Sequence, residues 1–201
     1  MFKTHSEAST RLLLLVATTL IVGLVAPAAV SAQTAQHWSL QLSGLGSAPF
    51  GGGFQGLTVG GGFEGQIRYN PSAFSIGAGV DMTFHTVEGA EDRSITLAGG
   101  FVEPRYVIHI GSESVGMYLS ARGAVSQISI DFGSTSSSAV GLLLNGGGGL
   151  LFAVHNRVNV DLGATLGYRD LGIIDSPLGT FDLGTGSNVI VRLGLAFGLG
   201  R

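Results

Sequence analysis

Apolar and polar residues alternate one for one along long stretches of this chain. In 157–168, Val158, Val160, Leu162, Ala164, Leu166 and Tyr168 take the even positions, and Arg157, Asn159, Asp161, Gly163, Thr165 and Gly167 the odd ones. Successive side chains of a β-strand point to opposite faces, so a period of two predicts a strand with one apolar face. Residues 72–85 repeat the pattern with Phe74, Ile76, Ala78, Val80, Met82 and Phe84 on one face. So do 56–69, through Leu57, Val59, Phe63, Ile67 and Tyr69, and 187–199, through Val189, Val191, Leu193, Leu195, Phe197 and Leu199. Four further segments follow with more noise: 38–44, 94–108, 114–126 and 140–154. In 94–108, Ile95 and Leu97 fall out of phase with Val102, Pro104, Tyr106 and Ile108, which predicts a bulge near Gly99-Gly100.

The connections between these eight segments also alternate, in length. Residues 70–72, 110–113 and 155–156 are short, whereas 46–54, 86–93, 127–138 and 169–186 are long. Short turns at one end and long loops at the other predict an all-β fold: an eight-stranded antiparallel up-and-down transmembrane β-barrel of the bacterial outer membrane, short turns toward the periplasm.

Composition decides which face is outside. Only 11% of the 201 residues are charged, lysine occurs once, at Lys3, and 34 residues are glycine. A soluble domain carries about 25% charged residues. A soluble barrel with its apolar face inward would meet water with Gly, Ser, Thr and Ala and about one charge per strand, too few for solubility. The apolar face therefore meets hydrocarbon, and barrel closure satisfies the backbone polar groups. The charges then point inward: Glu64, Asp81, Glu103 and Asp161 with Arg68, Arg105, Arg122 and Arg192. An eight-strand lumen is just wide enough to be filled by side chains, and buried charges must be paired. The expected interior is a salt-bridged plug, with Arg105 and Arg122 within reach of Glu64 or Glu103; a narrow ion path through the same charges is the alternative.

The first 32 residues read as a signal peptide for export through the Sec pathway. Lys3 and Arg11 precede an apolar run from Leu12 to about Val25, and Val30 and Ala32 stand at the −3 and −1 positions of a small-residue cleavage site. Residues 33–201 form the expected barrel domain, with no apolar run near the 18 residues of a spanning helix. The absence of cysteine closes the lipoprotein route and leaves the exported fold without disulfides. Only Gly200 and Arg201 follow Leu199, so no cell-wall tethering domain is expected.

Aromatic residues agree with this orientation. Trp38, Tyr69, Phe74, Tyr106, Phe152 and Phe197 fall on the outward face near a short turn or a terminus, where an aromatic girdle belongs, and Phe84 and Tyr168 would serve the opposite ring. The last strand, RLGLAFGL, resembles the C-terminal signal read by the barrel-assembly machinery, with Arg192 at the polar place, Gly194 and Phe197 at the defined ones and Leu199 where an aromatic is usual. Across 33–201 the architecture and this tag resemble the small eight-stranded outer-membrane protein family: the outer-membrane protein A barrel, the outer-membrane protein X group and the Opa-like adhesins. The resemblance implies an envelope structural or adhesin-like role. It also implies lipid and lipopolysaccharide as surroundings, the assembly machinery and periplasmic chaperones as partners, and a monomer that binds no nucleic acid.

Motifs for chemistry are few. There is no HExxH, GxSxG or P-loop, and the glycine runs at 51–53, 60–62 and 146–149 lack the lysine and the strand-turn-helix context of a phosphate cradle. No cofactor is expected. The candidate for a lipid-editing site is His85 with Ser94 and Glu88, Glu91 or Asp92 near the outer rim; the expectation is that the protein is not an enzyme. The long loops are acidic, and Glu88, Glu91 and Asp92 are candidates for bridging a divalent cation to lipid phosphates. The stretch 134–138, STSSS, is expected to be an exposed loop.

Overall fold

The computed structural model describes residues 36–200 other than 55, 113, 132–135, 177–178 and 183, with side chains for all of these except 90–93, 109, 130–131, 136 and 173–182. Residues 1–32, the expected signal peptide, lie outside the described residues. Eight strands close into one barrel: β1 (Trp38–Phe50), β2 (Gly60–Tyr69), β3 (Phe74–Val87), β4 (Ala90–His109), β5 (Val115–Asp131), β6 (Ser136–His155), β7 (Val158–Asp170) and β10 (Thr185–Leu199). Each pairs antiparallel with its neighbours in sequence, and β1 closes the circle on β10 from Trp38 opposite Leu199 to Phe50 opposite Ser187. Two short strands, β8 (Ile173–Ser176) and β9 (Gly179–Asp182), form a separate hairpin in the last long loop.

Alternation sets which side chain goes where. Leu42, Phe63, Val80, Leu119, Leu142 and Leu193 are all more than half exposed on the outer wall. An exposed apolar surface of this extent is stable only against lipid. Ten-residue strands already suffice to cross a bilayer when tilted, and β4 and β6 run to 20 residues.

Three expectations are corrected. The pairing of β3 with β4 is continuous from Phe74–Tyr106 to Thr86–Ser94, and the register shift lies between Thr86 and Val87, not at Gly99-Gly100. Ile95 and Leu97 are in phase after all, because they face the lumen with Phe101 and Val107. The segments 86–93 and 127–138 are largely strand: β3 and β4 are joined through Glu88-Gly89, with Gly89 at φ 76°, and Ser136–Ser138 pair with Ser129–Asp131. The first long connection folds inward: a 3-10 turn at Gly52–Phe54 buries the Phe54 ring against Leu97, Ile128 and Leu171. Below it Leu45, Phe101, Ala124, Leu143 and Ile190 form a second apolar cluster.

Candidate functional site

The eight predicted interior charges come from six strands, and barrel closure brings them to one level. Glu103 on β4, with no solvent exposure, is the hub. Its Oε1 accepts from Arg68 Nη2 at 2.9 Å and Arg105 Nε at 2.6 Å; its Oε2 accepts from Arg122 Nε at 2.9 Å and Arg192 Nη1 at 3.0 Å. Glu64 takes Arg122 Nη2 at 2.7 Å and Arg192 Nη1 at 3.1 Å. Asp161 takes Arg105 Nη1 at 2.7 Å, and Asp81 closes the set through Arg122 Nη1 at 3.4 Å. Guanidinium forks suit this sharing, because five N–H donors in one plane can serve several carboxylates.

Neutral residues finish the site. Tyr118 Oη donates to Asp161 Oδ1 at 2.7 Å and accepts from Arg192 Nη2 at 2.9 Å, while the Arg105 guanidinium lies 4.3 Å over its ring. The Arg122 guanidinium stacks 3.9 Å over Phe101. Gln41 donates to Asp161 at 2.8 Å, and Gln66 accepts from Arg68 at 2.8 Å. Glycines clear the space: a Cβ at Gly163 or Gly149 would run into the Tyr118 hydroxyl, and one at Gly77 into Gln66 and Arg68. Tyr118, Gln41 and Gln66 were not singled out from sequence, although each shares the polar face of its strand. Arg169, assigned to a loop from sequence, ends β7 with its side chain buried.

The rim candidates do not converge. His85 is buried toward the lumen, its Nδ1 3.0 Å from the Thr58 carbonyl oxygen and its Nε2 3.2 Å from Thr83 Oγ1. Ser94 sits opposite Thr86, one residue out of phase with His85, and is exposed. Glu88 is exposed at the turn, and the side chains of Glu91 and Asp92 lie outside the described residues. Among the described residues no cluster of three metal-ligating side chains occurs.

Trp38, Tyr69, Phe74, Tyr106, Phe152 and Phe197 lie on the outer wall at the short-turn end. Trp38 and Tyr69 rings are 4.9 Å apart, and Phe74 pairs with Tyr106 across β3 and β4. At the other end Phe84 meets Phe63 at 6.3 Å. Within the terminal tag, Arg192 points inward into the charge network and Gly194 packs on Ser43, while Phe197 and Leu199 point outward.

A closed antiparallel barrel with an apolar outer wall and an ion-paired lumen defines a transmembrane β-barrel of the outer-membrane type. Among solved structures the chain is similar to neisserial surface protein A, at 19% identity and a TM-score of 0.56 over 81% of this chain and 97% of that one. It is also similar to Ail, the attachment invasion locus protein of Yersinia pestis, at 17% identity and a TM-score of 0.51 over the same shares. At these identities the likeness is one of fold: that of the small eight-stranded outer-membrane barrels. A scan of protein-family models and a search of curated proteins both returned no match.

Proposed function

We propose that the chain is an integral outer-membrane protein with a closed interior, acting as an envelope structural or interaction protein through its long-loop end. The observation that carries this is the filled lumen. A densely ion-paired charge cluster is followed toward the long loops by two apolar clusters, the outer one holding Phe54. Such a filling leaves no continuous path for ions from end to end, so what the protein does it does at its surface. The short-turn end and both chain termini face the periplasm, and the surroundings are outer-membrane lipid and lipopolysaccharide. The attachment named for the Yersinia pestis protein makes adhesion the first interaction to test.

The purified mature chain in a planar bilayer should show no unitary conductance. Cells bearing it should adhere to matrix-coated surfaces or resist detergent better than cells carrying a version with the 171–184 connection shortened. Steady channels would make the protein a pore. Lipid A altered in mass only in cells that carry the protein would make it a lipid-modifying enzyme.

A further inference from the structure

At the short-turn end of the lumen, below the charge cluster, lies a cavity of about 20 Å³ lined by Ser39, Gln41, Arg68, Asn70, Ser75 and Arg105, with Val107, Leu151, Asn159 and Ala196 completing the wall. That is room for one water-sized particle, which needs roughly 10–15 Å³. Arg68 and Arg105 are 4% and 3% exposed, and each has one N–H donor without a hydrogen-bond partner: Arg68 Nε and Arg105 Nη2. A buried charged donor without an acceptor is costly, and the two arginines line the same small space.

Nearby carboxylate oxygens are already shared. Glu103 Oε1 serves both Arg68 and Arg105, and Asp161 Oδ2 serves Arg105 and Gln41. The hydroxyls on the wall are used as acceptors: Ser39 Oγ takes Asn70 Nδ2 at 3.1 Å and Ser75 Oγ takes Arg68 Nη1 at 3.2 Å. Their protons are thereby left to donate. Two cationic N–H groups and two hydroxyls thus offer hydrogens where the nearby carboxylate oxygens are already shared. A water would satisfy two of them and add two protons of its own; a monatomic anion accepts from all four. We propose that this cavity is a binding site for one small monovalent anion, chloride in the cell, which completes the pairing of Arg68 and Arg105 and seals the lumen from the short-turn side. The site does not depend on what the loops bind.

Crystals of the mature chain grown in bromide should show an anomalous peak in contact with Arg68 and Arg105. Thermal unfolding in detergent should be compared in chloride and in gluconate, too large to enter, at matched ionic strength. Each tenfold rise of chloride above its Kd should raise the midpoint by roughly 3–5 °C. Ala196→Leu, which fills the cavity and removes no donor, should abolish the difference, and Ser75→Ala, which removes one donor, should weaken chloride several-fold. A cavity without a bromide peak, or a chloride effect that survives Ala196→Leu, overturns the proposal.

Discussion

The two halves of the lumen are filled by opposite chemistry. Toward the short turns, four acids and four arginines are locked around Glu103, and most of these groups bind more than one partner. Toward the long loops, Leu45, Phe101 and Ile190, and then Phe54, Leu97 and Leu171, pack without direction. An ionic filling is exacting: each charge taken from water must find its partners, and the loss of one strands the others. An apolar filling is forgiving, since a removed ring leaves a gap that neighbours partly close. One fold therefore carries a brittle half and a compliant half.

The largest break in that contrast should come at the hub. Glu103→Gln leaves four guanidiniums short of a charge and should cost about 3–5 kcal/mol in urea unfolding in detergent. Adding Arg105→Met restores the balance of three acids to three arginines, so the double variant should be more stable than Glu103→Gln alone. If Glu103→Gln is as mild as Ser138→Ala, the lumen is wet and the brittle half does not exist.

Phe54→Ala probes the compliant half. A buried Phe→Ala change costs up to about 5 kcal/mol, but a turn attached to a loop can settle, so about 2–3 kcal/mol is expected. Bilayer recordings of this variant should stay silent, because the Leu45–Phe101–Ile190 cluster remains beneath it. A channel opened by Phe54→Ala alone would show that the outer half is a gate.

Gly163→Ala tests the fit between ring and backbone. Its new methyl meets the Tyr118 hydroxyl, which should cost about 1–3 kcal/mol, and Tyr118→Phe in the same chain should return part of that loss. Equal effects of Gly163→Ala with and without Tyr118→Phe would mean that the clash is not with the hydroxyl. The smallest effect is expected at the rim: Glu88→Gln, exposed at the β3–β4 turn, should stay within about 0.5 kcal/mol.

Reading Ile95 and Leu97 as out of phase came from assuming that the lumen is polar throughout. The strand itself is regular, and its even positions 102, 104, 106 and 108 face outward while 95, 97, 101, 103 and 105 face in. Apolar residues on the inner face are invisible to a two-letter pattern once the polar face has been assigned to the interior. The serine-rich stretch at 136–138 failed for a related reason: no side chain there favours a strand, and pairing with the extended end of β5 makes one.

The number of barrel strands and the inward or outward sense of most side chains were legible in the sequence, because a period of two is a local property of extended backbone; the lengths of the connections after β3 and β5 were not. Eight of the interior charges followed from the same period, whereas Arg169, assigned to a loop, did not. Beyond the reach of Arg105 and Arg122 to Glu64 or Glu103, which arginine meets which acid did not. Strands in a closed barrel are tilted and staggered, so residues far apart in register numbering come to one level only when β1 closes on β10. That closure places Arg192, 89 positions from Glu103, at its carboxylate, and aims Tyr118 across to Asp161. It also draws Phe54 from a glycine-rich loop into the mouth of the barrel, while the β3–β4 register sets His85 and Ser94 on opposite faces. These contacts depend on distances across the lumen, which only the closed tertiary structure defines.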